Sequence, residues 1–569
     1  MKHILLIILG LSLITKVHGQ DIPEHVSNQA IYNYLDELAA EQIIRLNSTI
    51  KPYSKQLIYD KLNTAKSKDS LLNERQKEEL QFYLSEYRIF SNKNSNPFQG
   101  HSNDVATLLG LTKKNNSYGA LPFKQLGFVY KDTLFTAVVK PIWGVNYRAN
   151  DSGSVRHFWG GLKAYATIGE HWGLYASLRD NSITEILSLP ETFTRAEGGN
   201  YKGAGAGREG GDYSEMRGGA FYSWDWGRIG LVKDQVQWGD HNHGPNIFDS
   251  RAPSFAMIKL HLKPVDWFEF NYFHGWLVSE VIDSTNSYVS QFGEPRQRFR
   301  PKNIAANMFT IHPWKHTSFS IGNSIIYSDI GGAHPAYLIP FMFFKSIDHT
   351  LNHAIQNQNS QMFFNVSNRL LKHTHLYGSI FVDEFATTRV GNSSQHNLLS
   401  YKGGAKVYNW PVKNLSFNYE FTHTNPLTFR HRIATTTFET NNYNLGHYLR
   451  DNSREHVVSM TYKPLSRLHL SARYKNAFTG NDYEYNINYG IPIDELPILK
   501  DITWQEKSLE FTASYELLNN VYCKLFYEYS NIQGFDADGK TAEDYLMKYT
   551  PQLYHGKQHT FGVQFNIGF

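Results

Sequence analysis

The chain has 569 residues, several times the length of a typical domain, so it forms either several domains or one large closed sheet. Aromatic residues make up 15% of it, yet the mean hydropathy is −0.45 and no run of about 20 apolar residues follows residue 19, which excludes a helical membrane protein. The net charge of +4 gives no reason to expect a nucleic-acid partner. The single cysteine, Cys523, excludes an intrachain disulfide framework and a thiolate metal cluster.

The first residues have the features of a secretory signal peptide. Lys2 precedes an apolar run from Ile4 to Ile14, which is too short to span a bilayer, and Val17-His18-Gly19 provides a cleavage site. We therefore expect residues 1–19 to be removed on export.

Residues 20–92 have the pattern of a small helical domain. Apolar residues recur at helical spacing, as at Ile31, Leu35 and Leu38, and predict three or four helices. The segment contains no tryptophan, whereas the rest of the chain has 11, and the Asn-, Ser- and Lys-rich stretch that follows predicts a linker at 93–122. We expect this domain in the periplasm, where it forms a plug, a contact surface or a supporting bundle.

From residue 123 to 569 the sequence alternates with a period of two. In the final stretch, His559 to Phe569, every second residue is apolar and the residues between them are small or polar. Other strands carry charged residues, such as Lys524 and Glu528, on their polar face, as a water-filled lumen allows. Short and long connections alternate along the chain, which is typical of outer-membrane barrels.

The predicted fold is mainly β: a transmembrane antiparallel β-barrel of about 18 strands with a small N-terminal helical periplasmic domain. A two-domain secreted β-protein is the alternative. The pattern leaves open whether Phe123 to Tyr130 joins the wall and whether the lumen is open or plugged.

One candidate binding site surrounds Trp238, near the start of a long connection. An aromatic ring covers the C–H face of a sugar, and nearby polar groups bind its hydroxyls. The predicted polysaccharide site comprises Lys233, Asp234, Gln235, Trp238 and Asp240. A ring in the interfacial aromatic girdle is the competing interpretation, and it is the favoured one for Trp224-Asp225-Trp226.

A second candidate is the basic run Arg430-His431-Arg432 in another long loop. It suits an acidic polymer or the phosphates of lipopolysaccharide, although a solvated loop has the same composition. His241 and His243 lack a third ligand at zinc spacing, so no metal site is predicted. No local arrangement pairs a nucleophile with a base, so we predict neither an enzyme nor a cofactor.

Several stretches, taken in order, resemble the Wzi family of outer-membrane capsule-assembly proteins, which includes a RemB-like gliding-motility branch in Bacteroidetes. They cover most of the chain: Lys233 to Gly239 leading to Ser250-Arg251-Ala252-Pro253-Ser254-Phe255, Tyr337-Leu338-Ile339-Pro340-Phe341-Met342, Phe381-Val382-Asp383-Glu384-Phe385, Pro426-Leu427-Thr428-Phe429-Arg430-His431, and Leu445-Gly446-His447-Tyr448. The chain departs from the family pattern at Tyr448-Leu449-Arg450, where a Pro-Leu-Gly run is expected.

The resemblance implies an eighteen-stranded barrel with a periplasmic helical piece and a lectin role in holding capsular polysaccharide on the cell. The expected partners are outer-membrane lipid, lipopolysaccharide and surface polysaccharide, with the long loops at the cell surface and a monomeric state. The motility branch implies instead an accessory that binds motility or secretion proteins. A diffusion channel is the third hypothesis.

Overall fold

The computed structural model describes residues 21–90, 117–120, 126–201, 210–330, 332–351, 357–485 and 491–568. The predicted signal peptide at 1–19 and most of the predicted linker at 93–122 lie outside these ranges. Eighteen antiparallel strands form a closed barrel, which confirms the predicted fold. The proposed domain boundaries stay predictions.

The barrel strands are numbered here in chain order. They are β1 (Phe135–Asn150), β2 (Gly153–Ile168), β3 (Trp172–Ile183), β4 (Gly211–Trp224), β5 (Gly227–Asp234), β6 (Phe255–Val265), β7 (Phe268–Ile282), β8 (Phe299–Trp314), β9 (Thr317–Ser328), β10 (Gln358–Asn368), β11 (Thr374–Glu384), β12 (Leu398–Tyr408), β13 (Leu415–Thr424), β14 (Ser453–Leu465), β15 (Leu468–Thr479), β16 (Trp504–Leu518), β17 (Val521–Gly534) and β18 (Gly556–Ile567). Each pairs with the next, and β18 pairs with β1 to close the ring.

The closing seam also answers the question about the segment before β1. Residues Phe128–Lys131 form a short strand that pairs with the beginning of β1, beside the stretch of β1 that pairs with β18. Ser117–Ala120 pairs in turn with Phe128–Lys131. The described part of this segment therefore extends the sheet at one end of the seam and is not a full wall strand.

Side chains alternate across the wall as the period-two pattern predicts. On β18, Phe561 is 61% exposed on the outer face, whereas Thr560 and Asn566 are buried inside. On β1, Val139 faces outward and Lys140 faces inward. An outer face of apolar side chains removes the cost of placing polar groups in lipid, and it leaves the polar residues to the interior.

The two ends of the barrel differ in their connections. At one end, the short-turn end, every connection between barrel strands is brief; Asn519–Asn520 between β16 and β17 is an example. At the other end, the long-loop end, most connections exceed ten residues, including 385–397, which the sequence pattern missed. The exception is the tight turn Asp151–Ser152 between β1 and β2.

In the described stretch 21–90, three α-helices pack against the short-turn end: α1 (Gln29–Ala40), α2 (Lys55–Lys66) and α3 (Glu74–Tyr87). Ser54 caps α2 by accepting a hydrogen bond from the N–H of Leu57. The backbone N–H of His373, in a short turn, donates to the carbonyl of Ala40 at 2.9 Å. The second of these bonds ties the end of α1 to a turn of the barrel. Among the described residues of the long loops, two helices occur: α4 (Phe344–Leu351) and α5 (Ala542–Tyr549).

A buried ion network joins the helices to the wall. Arg75 of α3 contacts both Glu37 and Glu79, and Lys463 of β14 lies 3.1 Å from Glu37 and 3.0 Å from Glu79. Burial raises the pKa of Glu37, but Lys463 and Arg75 outweigh it and hold this pKa well below its usual range. Because each charge has a partner, the network tolerates its burial.

Exposed tryptophans form a partial girdle at the short-turn end, from β3 to the turn after β12, in agreement with the interpretation of Trp224-Asp225-Trp226. Trp226 lies in the turn between β4 and β5 and is 50% exposed. The others in this ring are Trp172, Trp267, Trp314 and Trp410. Indole rings favour the boundary between hydrocarbon and headgroups, so this ring marks one membrane interface. None of the described helices combines the length and apolar character needed to cross a bilayer.

Candidate functional site

The loop from 235 to 254, between β5 and β6, folds into the barrel. Its strand Gln237–Trp238 pairs with Ile50–Lys51 of the N-terminal segment, and the N–H groups of Asn242 and His243 donate to Glu420 on the opposite wall at 2.6 and 2.5 Å. The loop and the N-terminal segment therefore meet inside the lumen, which is partly filled.

This placement corrects the expected position of Trp238. The ring is 2% exposed and makes edge contacts with Phe248, Phe273 and Phe363 at centroid distances of 5.2, 5.2 and 5.9 Å. The expectation that the Trp238 ring is available to a sugar is therefore wrong, because phenyl rings from the loop and from two strands enclose it. A sugar contact through Trp238 has no support in this geometry.

Asp240 fixes the in-folded loop to its surroundings. Its carboxylate accepts hydrogen bonds from Ser48, from Thr49 at 3.2 Å and from Asn365 of β10 at 2.8 Å. Its own N–H donates to Asn365 at 3.1 Å. A buried carboxylate with this many donors is satisfied internally, so Asp240 serves here to link three parts of the chain.

The remaining residues of this predicted set face different ways. Asp234 points inward and accepts a hydrogen bond from Tyr175 at 2.6 Å, and Gln235 donates to Glu197 at 3.1 Å. Lys233 points outward at the end of β5 and donates to the carbonyl of Met216 at 2.7 Å. The sequence run 233–240 is thus split between the two faces of the wall, and its role in polysaccharide binding stays a prediction.

The basic run lies at the long-loop end, as expected. Arg430 is partly exposed and donates to Asp482 and to the carbonyl of Tyr483, both at 2.6 Å. Arg432 is exposed. The ring of His431 lies 6.2 Å from that of Tyr485. We call this group, with Lys548, the loop basin.

Two cations of the loop basin, Arg430 and Lys548, pair with the carboxylate of Asp482. Burial lowers the pKa of Arg430, but Asp482 and Asp451 outweigh it and raise this pKa above its usual value. Burial raises the pKa of Asp482, while Arg430 and Lys548, the latter 2.5 Å away, bring it below its ordinary range. Both groups therefore stay ionised at neutral pH, and Arg432 adds a further positive charge.

Four residues of the loop basin were missed by sequence reasoning: Asp482, Tyr483, Tyr485 and Lys548. They belong to two other long loops and approach Arg430 only in the folded chain. The run Asp482-Tyr483-Glu484-Tyr485, in which carboxylates alternate with tyrosines, is the signal that could have found them, because this composition suits hydroxyl-rich ligands.

Below the basin, a polar cavity of about 780 Å³ runs along β13–β18 and β1–β3. Charged side chains project into it, among them Arg148, Lys475, Glu506 and Glu510. Lys475 and Glu506 are 2.7 Å apart. A cavity of this size and polarity holds water, so it can hydrate ions or small polar solutes.

The two histidines considered as metal ligands have other partners. His241 bonds the carbonyl of Gly239 at 2.8 Å, and the ring of His243 lies 3.5 Å from Glu455. Across the described ranges, no three histidine, cysteine, aspartate or glutamate side chains come close enough to hold a metal ion.

No protein-family model matches the chain, and no curated protein matches its sequence. Among solved structures, Wzi of Escherichia coli, an outer-membrane protein involved in group 1 capsule assembly and described as a carbohydrate-binding β-barrel, has a TM-score of 0.53 at 11% identity. The match covers 97% of this chain and 100% of that one.

Two further structures match less closely. OpdK of Pseudomonas aeruginosa, solved with vanillate, has a TM-score of 0.41 at 9% identity over 76% of this chain and 98% of its own. OccAB2 of Acinetobacter baumannii has a TM-score of 0.40 at 9% identity over 76% and 97%. At these identities the likeness shows the fold alone. The resemblance to the Wzi family is thus confirmed at the level of the fold, an outer-membrane-type β-barrel, and membership stays a prediction.

Proposed function

We propose that this protein is an outer-membrane β-barrel that binds surface polysaccharide at its long-loop end and anchors it to the cell. The observation that carries the proposal is the loop basin, where arginine and lysine cations lie beside tyrosine rings and a carboxylate. Tyrosine rings cover sugar C–H faces, and a guanidinium binds the acidic groups of capsular polymers bidentately. The carbohydrate-binding description of Wzi agrees with this assignment.

In this proposal the long loops face the outside of the cell and the N-terminal helices face the periplasm. The segment 233–240 contributes as the internal support of the loops, and Arg430, His431 and Arg432 contact the polymer. The proposal involves no catalytic step.

Binding can be measured with the purified full-length protein in detergent and the acidic polysaccharide of the producing organism. Arg432→Ala, which removes the exposed guanidinium, and Tyr485→Ala should each weaken binding by about tenfold, the loss expected when a charged hydrogen bond or an aromatic contact is removed. Arg296→Ala, an equally basic position in the exposed hairpin of another long loop, is the matched control. If all three variants bound the polysaccharide with the same affinity as the parent, the assignment of the binding site to the loop basin would be wrong.

The second candidate is a diffusion channel, and the polar cavity along β13–β18 and β1–β3 favours it. Steady ion conductance of the parent protein in a planar bilayer would support it. Deleting the gene separates the roles further: loss of capsule into the medium supports anchoring, whereas intact capsule with lost surface spreading supports the motility accessory.

A further inference from the structure

The long loop between β9 and β10 does not extend away from the barrel. Its residues 332–351, called the strap here, turn back over the outer wall of β7, β8 and β9. The ring of Phe341 stacks on that of Phe270 at 4.4 Å, and Tyr337 and Phe344 are fully buried against the wall. Phe270 lies two residues from the start of β7 at the short-turn end, so the strap descends along most of the wall.

The wall under the strap breaks the alternation rule. The outward positions of β7–β9 carry polar side chains where other strands carry apolar ones: Tyr272, His274, Asn307, Asn323 and Tyr327. Facing acyl chains, such groups would have no hydrogen-bond partners, which is unfavourable. All five are instead buried by the strap or by one another.

The polar wall residues are matched to the backbone of the strap. Asn307 donates to the carbonyls of Pro340 and Met342 at 2.9 and 2.8 Å, and Asn323 accepts from the N–H of Phe344 at 2.9 Å. Irregular backbone is tolerated at membrane depth where protein groups satisfy it. Asn307 and Asn323 provide these hydrogen bonds to the backbone of the strap.

The opposite edge of the strap is apolar and exposed. Leu338, Ile339, Phe341, Met342 and Phe343 are each 38–54% exposed. Bare outward residues of the neighbouring wall, such as Ile311 and Ile321, have the same exposure and character. The edge therefore continues the lipid-facing surface of the barrel across the polar wall.

We propose that the strap is embedded in the outer membrane, with this apolar edge in contact with the acyl chains of the lipids. The loop thus serves as a lipid-docking surface, and it takes no part in the loop basin. Lys345 and His349 are exposed on α4, in the part of the strap that returns toward the long-loop end. The long side chain of Lys345 allows its ammonium group to reach the lipid headgroups.

Site-specific quenching tests the proposal. In a Cys523→Ser background, a bimane label at Phe341→Cys or Met342→Cys is placed in phosphatidylcholine vesicles with brominated acyl chains. We expect bromine to quench it as it quenches a label at Leu178→Cys on the bare wall, while aqueous iodide has little effect. A label at Phe292→Cys, which is 82% exposed in another loop, should show the reverse.

A strap label that behaves like the one at Phe292→Cys would overturn the proposal. Quenching by neither agent, together with cross-linking to a second protein, would overturn it as well, because protein would then cover the edge.

Removing the asparagines tests the mechanism. Asn307→Leu or Asn323→Leu leaves strap carbonyls or an N–H without partners in lipid, so the strap should lift and iodide quenching at Phe341→Cys should rise by about threefold. Asn271→Leu, on the inner face of β7, is the matched control and should leave quenching unchanged. Unchanged quenching in all three variants would contradict the role of the asparagines.

Discussion

The two halves of the barrel interior are built on different principles. Along β4–β11 a set of apolar inward side chains, Phe273 and Phe363 among them, packs around Phe248 and Trp238 of the in-folded loop, with buried polar residues such as Asp234 and Asn365 beside it. Along β13–β18 and β1–β3 they are polar or charged and border a cavity of about 780 Å³. One half is therefore a dry core, and the other is a hydrated space.

This difference explains why a loop fills one side of the lumen. The apolar inward side chains of β4–β11 would meet water in an open barrel, so the loop 235–254 acts as the second layer of a core. The charged face needs no such cover, because water and opposite charges satisfy it. Filling of the dry half is thus a packing requirement.

The largest effect is expected from removing the second layer. Replacing residues 236–253 by a short Gly-Ser linker should open the dry half, since eighteen-stranded barrels are wide enough for an aqueous channel. The single-channel conductance of this variant in planar bilayers should exceed that of the parent protein by about tenfold or more. Replacing 284–297, an exposed hairpin loop, is the control. Unchanged conductance would mean that other segments fill the lumen.

The next effect concerns the centre of the dry half. Trp238→Ala removes a buried indole from among Phe248, Phe273 and Phe363 and should lower the free energy of unfolding by about 4 kcal/mol. Guanidinium titration in detergent measures the loss. Trp226→Ala, at the exposed girdle, should cost far less in detergent, and equal losses would argue against a dry core.

Acid should release the helices before it affects the wall. Burial raises the pKa of Glu24, but Lys55 and Lys163 outweigh it and bring this pKa from 4.5 to about 2. A lowered folded pKa gives stability that is present above about pH 4.5 and lost as the pH falls toward 2. The full contribution is about 3 kcal/mol.

Limited proteolysis of the N-terminal helices at about pH 3 and pH 7 measures this loss. The Glu24→Gln variant should be less stable at pH 7 and less sensitive to acid. A parent protein that resists proteolysis equally at both pH values would contradict the assignment.

The smallest effect is expected in the hydrated half. Glu506→Gln breaks the ion pair with Lys475, yet water in the cavity can hydrate the freed ammonium group, so unfolding should become easier by about 1 kcal/mol. Guanidinium titration tests this too. A loss as large as that of Trp238→Ala would mean that this half is dry as well.

Local patterns in the sequence predict the wall well. Alternation at residues such as Phe561 and Thr560 depends on period two alone, because each strand meets lipid on one side and an enclosed interior on the other. Strand number, most connection lengths and the helical N-terminal segment follow from the same local signals, and the structure agrees with them, the long connection 385–397 excepted.

The site was harder to predict because its parts are distant in sequence. A tryptophan near carboxylates in sequence can belong either to a sugar-binding site or to a buried core. For Trp238 the structure decides in favour of the core, because Phe273 and Phe363 cover its ring once the chain is folded. The outward polar residues His274, Asn307 and Asn323 did carry a readable signal, since they break the alternation. That break marks the wall covered by the strap.

The girdle of tryptophans has a consequence for how the molecule sits in bilayers of unequal thickness. Indole rings such as Trp267 and Trp314 are concentrated at the short-turn end, so that end keeps a fixed depth relative to the lipid headgroups on its side of the membrane. A thicker or thinner hydrocarbon layer is then accommodated at the opposite end, so the height of the loops above the lipid surface follows membrane composition.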